Sequence, residues 1–271
     1  MKKILIPTVF SLESLNAIRY ALEVFKNTSC DFVLLHIIDV PTSIPELLTM
    51  PRDDGQLEKT NAEFESALNR INRQYAVEIN SIKIVHAYGS VSDQIKAHIK
   101  IHDAEVLIYP ENEILNGKNP NDYITLFNEV KIPVLFVPEN FKSEQPKRVA
   151  YVIDIHDKKF LAKSSSFSTL QINSISRPIL LCLIDSDKDI DNVGGSLLSL
   201  FGFQRMNKPG FTIHFIQRQN FAIGINEFIN EFNIDMLLMA TKRKHNFFRR
   251  PKDDHYTVVA ETKVPFMSIA N

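Results

Sequence analysis

Short apolar runs alternate with segments of helical periodicity along the first 137 residues of the chain. The nearly continuous apolar run at 31–38 is typical of a parallel-sheet strand that is covered on both faces. From Leu12, apolar side chains instead return every three or four residues, which predicts a helix. A similar pattern predicts a second helix around 64–71, and Ser90 to Asp93 has the spacing of a capping box before a third. The predicted strands are 3–8, 31–38, 82–85, 104–109 and 132–137.

The same order of elements returns in the second half, with predicted strands at 148–154, 178–185, 211–217, 235–240 and 264–269. Segments 103–108 and 233–238 both close a helix and open a strand. Pro133 and Pro265 both open the last strand of their half, a position where proline is tolerated. The chain therefore reads as two α/β repeats, each a five-stranded doubly wound parallel sheet with helices on both faces.

The boundary between the repeats is predicted in the Pro-, Glu- and Lys-rich segment 138–147. The first repeat then covers residues 1–140 and the second, more divergent repeat covers residues 147–271.

Composition and charge limit which partners and which cellular compartment are expected. The net charge is −1, so any attraction to nucleic acid or to an anionic membrane must be local. The longest apolar runs fall far short of the ~20 residues that cross a bilayer. Cys30 and Cys182 have neither metal nor redox spacing and look like core thiols, which favours a reducing cytoplasm. We expect a cytoplasmic protein with no membrane segment.

A family resemblance is carried by the opening segment 2–11, by Leu15-Asn16-Ala17 in the first helix, and by Leu34-Leu35-His36 in the second strand. These residues resemble the universal stress protein family, here as a tandem pair. The resemblance implies an adenine-nucleotide-binding α/β fold with ATP lying across the carboxyl ends of the strands. The crevice at those strand ends is also where open parallel sheets generally bind ligands.

The first repeat departs from the motif that the family's nucleotide-binding members carry. That motif has an Asp at the end of strand one and Gly-x2-Gly-x9-Gly-Ser/Thr after strand four, whose backbone amides cradle phosphate. Here Val9 takes the Asp position, and the segment 110–117 lacks the paired glycines and carries Glu111 and Glu113. The family site of this repeat, with Thr8, Val9 and Ser11, is therefore expected to be empty.

The second repeat departs differently. Asp154 falls on the position of the adenine-contacting Asp, and Thr241 matches a residue common in the family's loop. Ala240 and Arg243 replace the two leading glycines, and cations cluster behind them. Arg side chains can bind phosphate in place of backbone amides. The residues assigned to a divergent ligand site are Asp154, Thr241, Lys242, Arg243, Lys244, Arg249 and Arg250.

Three interpretations of the basic segment 242–252, which has six Lys or Arg residues, stay open. It is a solvated loop balanced by Asp253 and Asp254, an anion site, or a docking surface for a protein partner in which Phe247 and Phe248 take part. Stacking of these rings on nucleic acid is disfavoured by the neutral chain. One further hypothesis is that this segment faces the acidic loop of the first repeat, with Glu111, Glu113 and Asp122, either within one chain or across a dimer.

Nothing in the sequence points to catalysis or to a metal. His98 and His102 lie four residues apart on a predicted helix, but no third ligand is evident, so a solvated helix face is favoured. His36 is expected to be packed within its strand. Ser164, Ser165 and Ser166 have no paired base. We expect no catalytic residue and no metal ligand.

The resemblance and the lost motif together predict a non-catalytic stress-response or regulatory protein that acts through association with itself or with a protein partner. The apolar fifth strand of each repeat is the expected pairing edge, within one chain or in a homodimer. No cofactor is expected. The alternative is a sensor that binds ATP, AMP or another anion at the divergent site of the second repeat.

Overall fold

Ten strands form one continuous sheet in the structure, a computed structural model that describes residues 1–38, 62–111, 129–139, 141–142, 144–155, 179–190, 212–241 and 262–270. The strands of the first repeat are β1 (Lys2–Thr8), β2 (Cys30–Ile38), β3 (Ile79–Tyr88), β4 (Val106–Pro110) and β5 (Val134–Val137). Those of the second repeat are β6 (Val149–Asp154), β7 (Ile179–Ile184), β8 (Thr212–Gln217), β9 (Met236–Thr241) and β10 (Phe266–Ala270).

The strand order β3-β2-β1-β4-β5-β10-β9-β6-β7-β8 joins two parallel five-stranded halves edge to edge. The seam is the antiparallel pairing of β5 with β10, in which Phe136 lies opposite Phe266 and Leu135 opposite Met267. All other neighbouring strands run parallel. The sequence predicts two sheets, but the structure joins them into one. Because the seam is antiparallel, the strands of the first repeat end at one side of this sheet and those of the second repeat end at the opposite side.

Helices cover both faces. The described helices are α1 (Leu12–Val24), α2 (Ala62–Gln74), α3 (Val91–Ile101) and α4 (Phe221–Phe232), and the first three lie where the helical periodicity and the capping box predict them. Helices α1 and α2 pack on one face of the sheet, and α3 and α4 pack on the other. Ser11 begins α1 by accepting hydrogen bonds from the backbone N–H groups of Glu13 and Ser14. Ser90 does the same for Asp93 at the start of α3.

The internal repeat is visible in backbone detail. Asp103 (φ 50°) and Asn233 (φ 48°) both take the left-handed conformation where α3 and α4 give way to the next strand. Two backbone hydrogen bonds recur there, donor to acceptor, in each half: Ala104 to Ile99 and Glu105 to Lys3 in the first, Ile234 to Ile229 and Asp235 to Arg148 in the second. The markers that identified the repeat in the sequence therefore mark the same turn in space.

Strand register fixes which residues of the two repeats correspond. Ile4 pairs with Val106 in the first repeat, and Val149 pairs with Met236 in the second. Because Val106 and Met236 follow the equivalent turns by the same distance, Ile4 corresponds to Val149. Counting five residues onward, Val9 corresponds to Asp154.

One expectation changes. The edge strand β3 spans Ile79–Tyr88 and not only 82–85, because its exposed polar residues hide the apolar pattern. The hypothesised contact between the acidic and basic loops falls on the segments 112–128 and 242–261, which lie outside the described residues. Among the described residues, no helix is long and apolar enough to span a membrane.

Candidate functional site: the crevices at the strand ends

The turn after β1 in the first repeat is held by its own side chains. Thr8 is completely buried, and its Oγ1 lies 2.6 Å from the Ser14 Oγ on α1. The same Thr8 Oγ1 accepts a hydrogen bond of 2.8 Å from the backbone N–H of Phe10. Ser11 caps α1. The hydroxyls of Thr8 and Ser11, predicted as site residues, thus both bind parts of the β1–α1 turn.

Phe10 lies above the carboxyl ends of β2 and β3. Its backbone takes φ 63°, a left-handed conformation that is costly for a side chain other than glycine. Its ring centroid lies 4.8 Å from that of His36 and 5.3 Å from that of Phe64 on α2. The ring of His86 is 6.0 Å away. Phe10 therefore fills space at the strand ends where the fold would place a ligand.

His36 and His86 are register partners on β2 and β3, and their Nδ1 atoms lie 3.2 Å apart. His36 is half-buried, as expected of a packed strand histidine, whereas His86 is exposed. Burial, and to a lesser degree the charge of His86, lowers the pKa of His36. Val9, which the resemblance places at the family's Asp position, is 44% exposed. This crevice thus holds aromatic rings and no carboxylate at the Asp position.

The second repeat places charged groups at the corresponding strand ends. The guanidinium of Arg218, just beyond β8, lies with its Nη2 2.9 Å from Oδ1 of Asp154 at the end of β6. Its Nε lies 3.2 Å from Oδ1 of Asp185, which follows β7. The Asp154 side chain is only 11% exposed, against 61% for Asp185. A single arginine therefore links the ends of three neighbouring strands.

The turn after β7 is ordered by a second carboxylate. Oδ2 of Asp189 accepts backbone hydrogen bonds from Asp185 at 3.1 Å and from Ser186 at 2.9 Å. Gln217 at the end of β8 donates a 3.2 Å hydrogen bond to Asp187. These contacts fix Asp185 beside Arg218.

The predicted ligand residues of the second repeat are only partly brought together. Asp154 lies in the crevice, at the position that corresponds to Val9. Thr241 ends β9, two strands from β7. Lys242, Arg243, Lys244, Arg249 and Arg250 lie outside the described residues.

Arg218 was missed by sequence reasoning because it lies 64 residues from Asp154 and belongs to no motif. The available signal was its place directly after a predicted strand, 211–217, in a fold whose strand ends converge.

Two other predictions concern reactive side chains. His98 on α3 and His102 directly after it stack with centroids 5.5 Å apart, and burial lowers the pKa of each. They are half-buried, so the expectation of a fully solvated helix face is only partly met. Cys30 and Cys182 are buried and unpaired, and burial raises the pKa of Cys30 to about 11 and that of Cys182 to about 12. Both thiols are therefore protonated at neutral pH.

Comparison with known proteins identifies the type of fold. Residues 1–111 match the model of the universal stress protein family. The crystal structure of a universal stress protein from Archaeoglobus fulgidus superimposes with a TM-score of 0.69 at 13% identity, covering 99% of this chain and 96% of that chain. No curated protein sequence matches the chain.

Two further solved structures share the fold. A functionally unknown protein from Pseudomonas aeruginosa gives a TM-score of 0.62 at 13% identity, covering 100% of this chain and 92% of that one. The cytoplasmic domain of a prokaryotic cation chloride cotransporter gives 0.56 at 11% identity, with 98% and 94% covered. The doubly wound fold thus extends over both repeats.

Proposed function

We propose that this chain, whose first 111 residues match the model of the universal stress protein family, is a non-catalytic stress-response or regulatory protein of the cytoplasm that no longer binds ATP in the family's manner. It acts by associating with itself or with a protein partner. The observation that carries this proposal is that side chains of the protein occupy the strand-end crevice of both repeats.

In the first repeat, Phe10 and the preceding Val9 each support the loss of ATP binding. The first observation concerns Phe10. Its ring contacts His36 and Phe64 at the strand ends. The preceding Val9 offers no hydrogen-bonding side chain to an adenine. Because an apolar side chain cannot replace the missing acceptor, a base bound there would leave polar groups unpaired.

In the second repeat, the Asp is retained but already paired. Asp154 is nearly buried against Arg218, which also contacts Asp185. A nucleotide base would have to replace a charge-assisted contact of 2.9 Å. The pairing therefore opposes binding of adenine at this carboxylate.

Calorimetric titration of the full-length protein with ATP, ADP, AMP and inorganic phosphate, each with Mg²⁺, tests the proposal. We expect no saturable heat with any of them. Micromolar binding of a nucleotide to the unmodified protein would refute it.

A sensor of an adenine nucleotide or another anion, with its site in the second repeat, is the alternative function. The observation in its favour is Arg218, a cation at the strand ends beside the family's Asp position. This function predicts binding that is lost in Asp154→Ala and in the double variant Arg243→Ala/Lys244→Ala. The matched control, Lys26→Ala/Lys100→Ala, removes two lysines of the first repeat and should leave such binding unchanged.

A further inference from the structure

The two histidines at the carboxyl ends of β2 and β3 form a pair that the proposed function does not use. His36 and His86 face each other across the parallel ladder, and their Nδ1 atoms are 3.2 Å apart. Their rings are perpendicular, at 90°, with centroids 5.4 Å apart. Each Nδ1 lone pair lies in the plane of its own ring, and the 3.2 Å separation puts both nitrogens within bonding distance of one ion placed between them.

This separation is that of two nitrogen ligands on one metal ion. With Zn–N bonds of about 2.0–2.1 Å and a tetrahedral angle, two imidazole nitrogens lie about 3.3 Å apart. The same geometry separates the ring centroids by roughly 5 Å. The protein therefore presents both nitrogens at close to the required spacing without any movement of the strands.

The surroundings fix the pair and leave it accessible. Phe10 packs 4.8 Å from His36 and 6.0 Å from His86, centroid to centroid, and holds the rings from one side. His86 is exposed, which gives an ion in solution a path to the pair.

We propose that His36 and His86 form a binding site for a divalent transition-metal ion of the Zn²⁺, Cu²⁺ or Co²⁺ type, with water completing the coordination. Imidazole is a preferred ligand of these ions. Among the residues that the structure describes, no group of three or more His, Cys, Asp or Glu side chains is placed to hold a metal. The site is thus a two-histidine site with open positions, suited to reversible binding or to a further ligand.

Metal binding needs only a change of tautomer. In the free pair one Nδ1 carries the proton of the hydrogen bond and the other accepts it. When the ion arrives, that proton moves to Nε2 of the same ring, and both Nδ1 lone pairs bind the ion. The change of tautomer relocates this proton within one ring and does not itself release it.

The other histidine pair supplies a matched control. His98 and His102 have nearly the same centroid separation, 5.5 Å, but their rings are stacked at 19°. Unlike the first pair, their ring nitrogens do not meet in a hydrogen bond, since His98 Nδ1 and His102 Nε2 are buried without a partner. If the spacing of the ring nitrogens determines metal binding, only the His36–His86 pair should bind the ion.

The test is titration of the full-length protein with Co²⁺, followed by its visible absorption, and with Zn²⁺ by competition. We expect one ion to bind through this pair, with affinity reduced about tenfold or more in His86→Gln. His36→Asn, at the half-buried position, should have the same effect. The double variant His98→Gln/His102→Gln should bind as the unmodified protein does.

Unchanged Co²⁺ affinity in His86→Gln would overturn the proposal, as would an equal loss in the His98→Gln/His102→Gln control. Because His86 is exposed, its replacement should leave the fold intact, and the circular dichroism of the variant verifies this. Nitrogen chemical shifts give an independent readout. Zn²⁺ should shift Nδ1 of His36 and His86 and no ring nitrogen of His98.

Discussion

Arg218 and Asp154, 64 residues apart in sequence, meet at 2.9 Å across the carboxyl ends of β6 and β8. Only 11% of the Asp154 side chain and 24% of the Arg218 side chain are exposed. The carboxylate that the family resemblance assigns to adenine binding is thus part of an internal ion pair. This ion pair therefore holds the ends of β6 and β8 together in the crevice of the second repeat.

Replacement of Arg218 by Met should destabilise the protein by about 1–3 kcal/mol, because it removes the cation from a nearly buried carboxylate. Urea unfolding measures the loss. The control is Lys96→Met, which breaks contacts to Asp93 and Glu129 on the surface and should cost less than about 1 kcal/mol. Equal losses in the two variants would contradict a special role for Arg218.

At Phe10, glycine should be better tolerated than alanine. Both replacements remove the ring that contacts His36 and Phe64, but only glycine adopts φ 63° without steric cost. Phe10→Gly should therefore be more stable than Phe10→Ala by about 1 kcal/mol in thermal or urea unfolding. At the exposed Asn69 inside α2 the order should reverse, with alanine more stable than glycine. If alanine were more stable than glycine at both positions, Phe10 would not be left-handed in solution.

The corresponding left-handed residues of the two repeats make a similar prediction. Asn233→Ala should destabilise the protein by about 1 kcal/mol, whereas Asn233→Gly should be neutral or slightly stabilising. Asp103→Gly should gain less than Asn233→Gly, because Asp103 also lies 3.4 Å from Lys3. Unfolding free energies of the three variants decide this, and a stabilising Asn233→Ala would exclude the left-handed turn.

Stability should fall in mildly acidic solution. Burial lowers the pKa values of His36, His98 and His102 below the ordinary 6.5, so the unfolded chain binds more protons than the folded protein once the pH falls below that value. The contribution of these histidines to the free energy of unfolding is fully present above pH 6.5 and is lost progressively below it. Urea midpoints at about pH 7.5 and about pH 5.5 measure the difference. Replacement of His36 by Gln should reduce it, and an unchanged pH dependence in that variant would exclude His36 as a contributor.

The sequence predicts the strands well and the site poorly, for a physical reason. Strand and helix patterns are local: the apolar run 31–38 and the proline at Pro133 each carry their meaning within a few residues. The contacts of the crevices are not local. His36 and His86 are 50 residues apart, and they meet only because β2 and β3 are neighbours in register. Such contacts depend on strand order. The repeat predicts that order in outline, but it does not predict which residues meet.

The antiparallel seam between β5 and β10 makes one sheet out of the two repeats. Phe136 and Phe266 lie directly opposite each other across it, and both are almost fully buried. Opposed side chains on one face of an antiparallel pair contact each other, so their replacements should not be additive. A double-mutant cycle with Phe136→Leu and Phe266→Leu should give a coupling energy of about 0.5–1.5 kcal/mol.

Phe32→Leu with Phe266→Leu is the matched control for the seam, because Phe32 packs on the other face of the sheet. These two replacements should add within about 0.5 kcal/mol. Repeating the cycle over a wide range of protein concentration separates pairing within one chain from pairing between chains. Only the first leaves the unfolding midpoint independent of concentration. Additivity of Phe136→Leu and Phe266→Leu would mean that the repeats do not share a sheet in solution, and a concentration-dependent midpoint would place the seam between two chains.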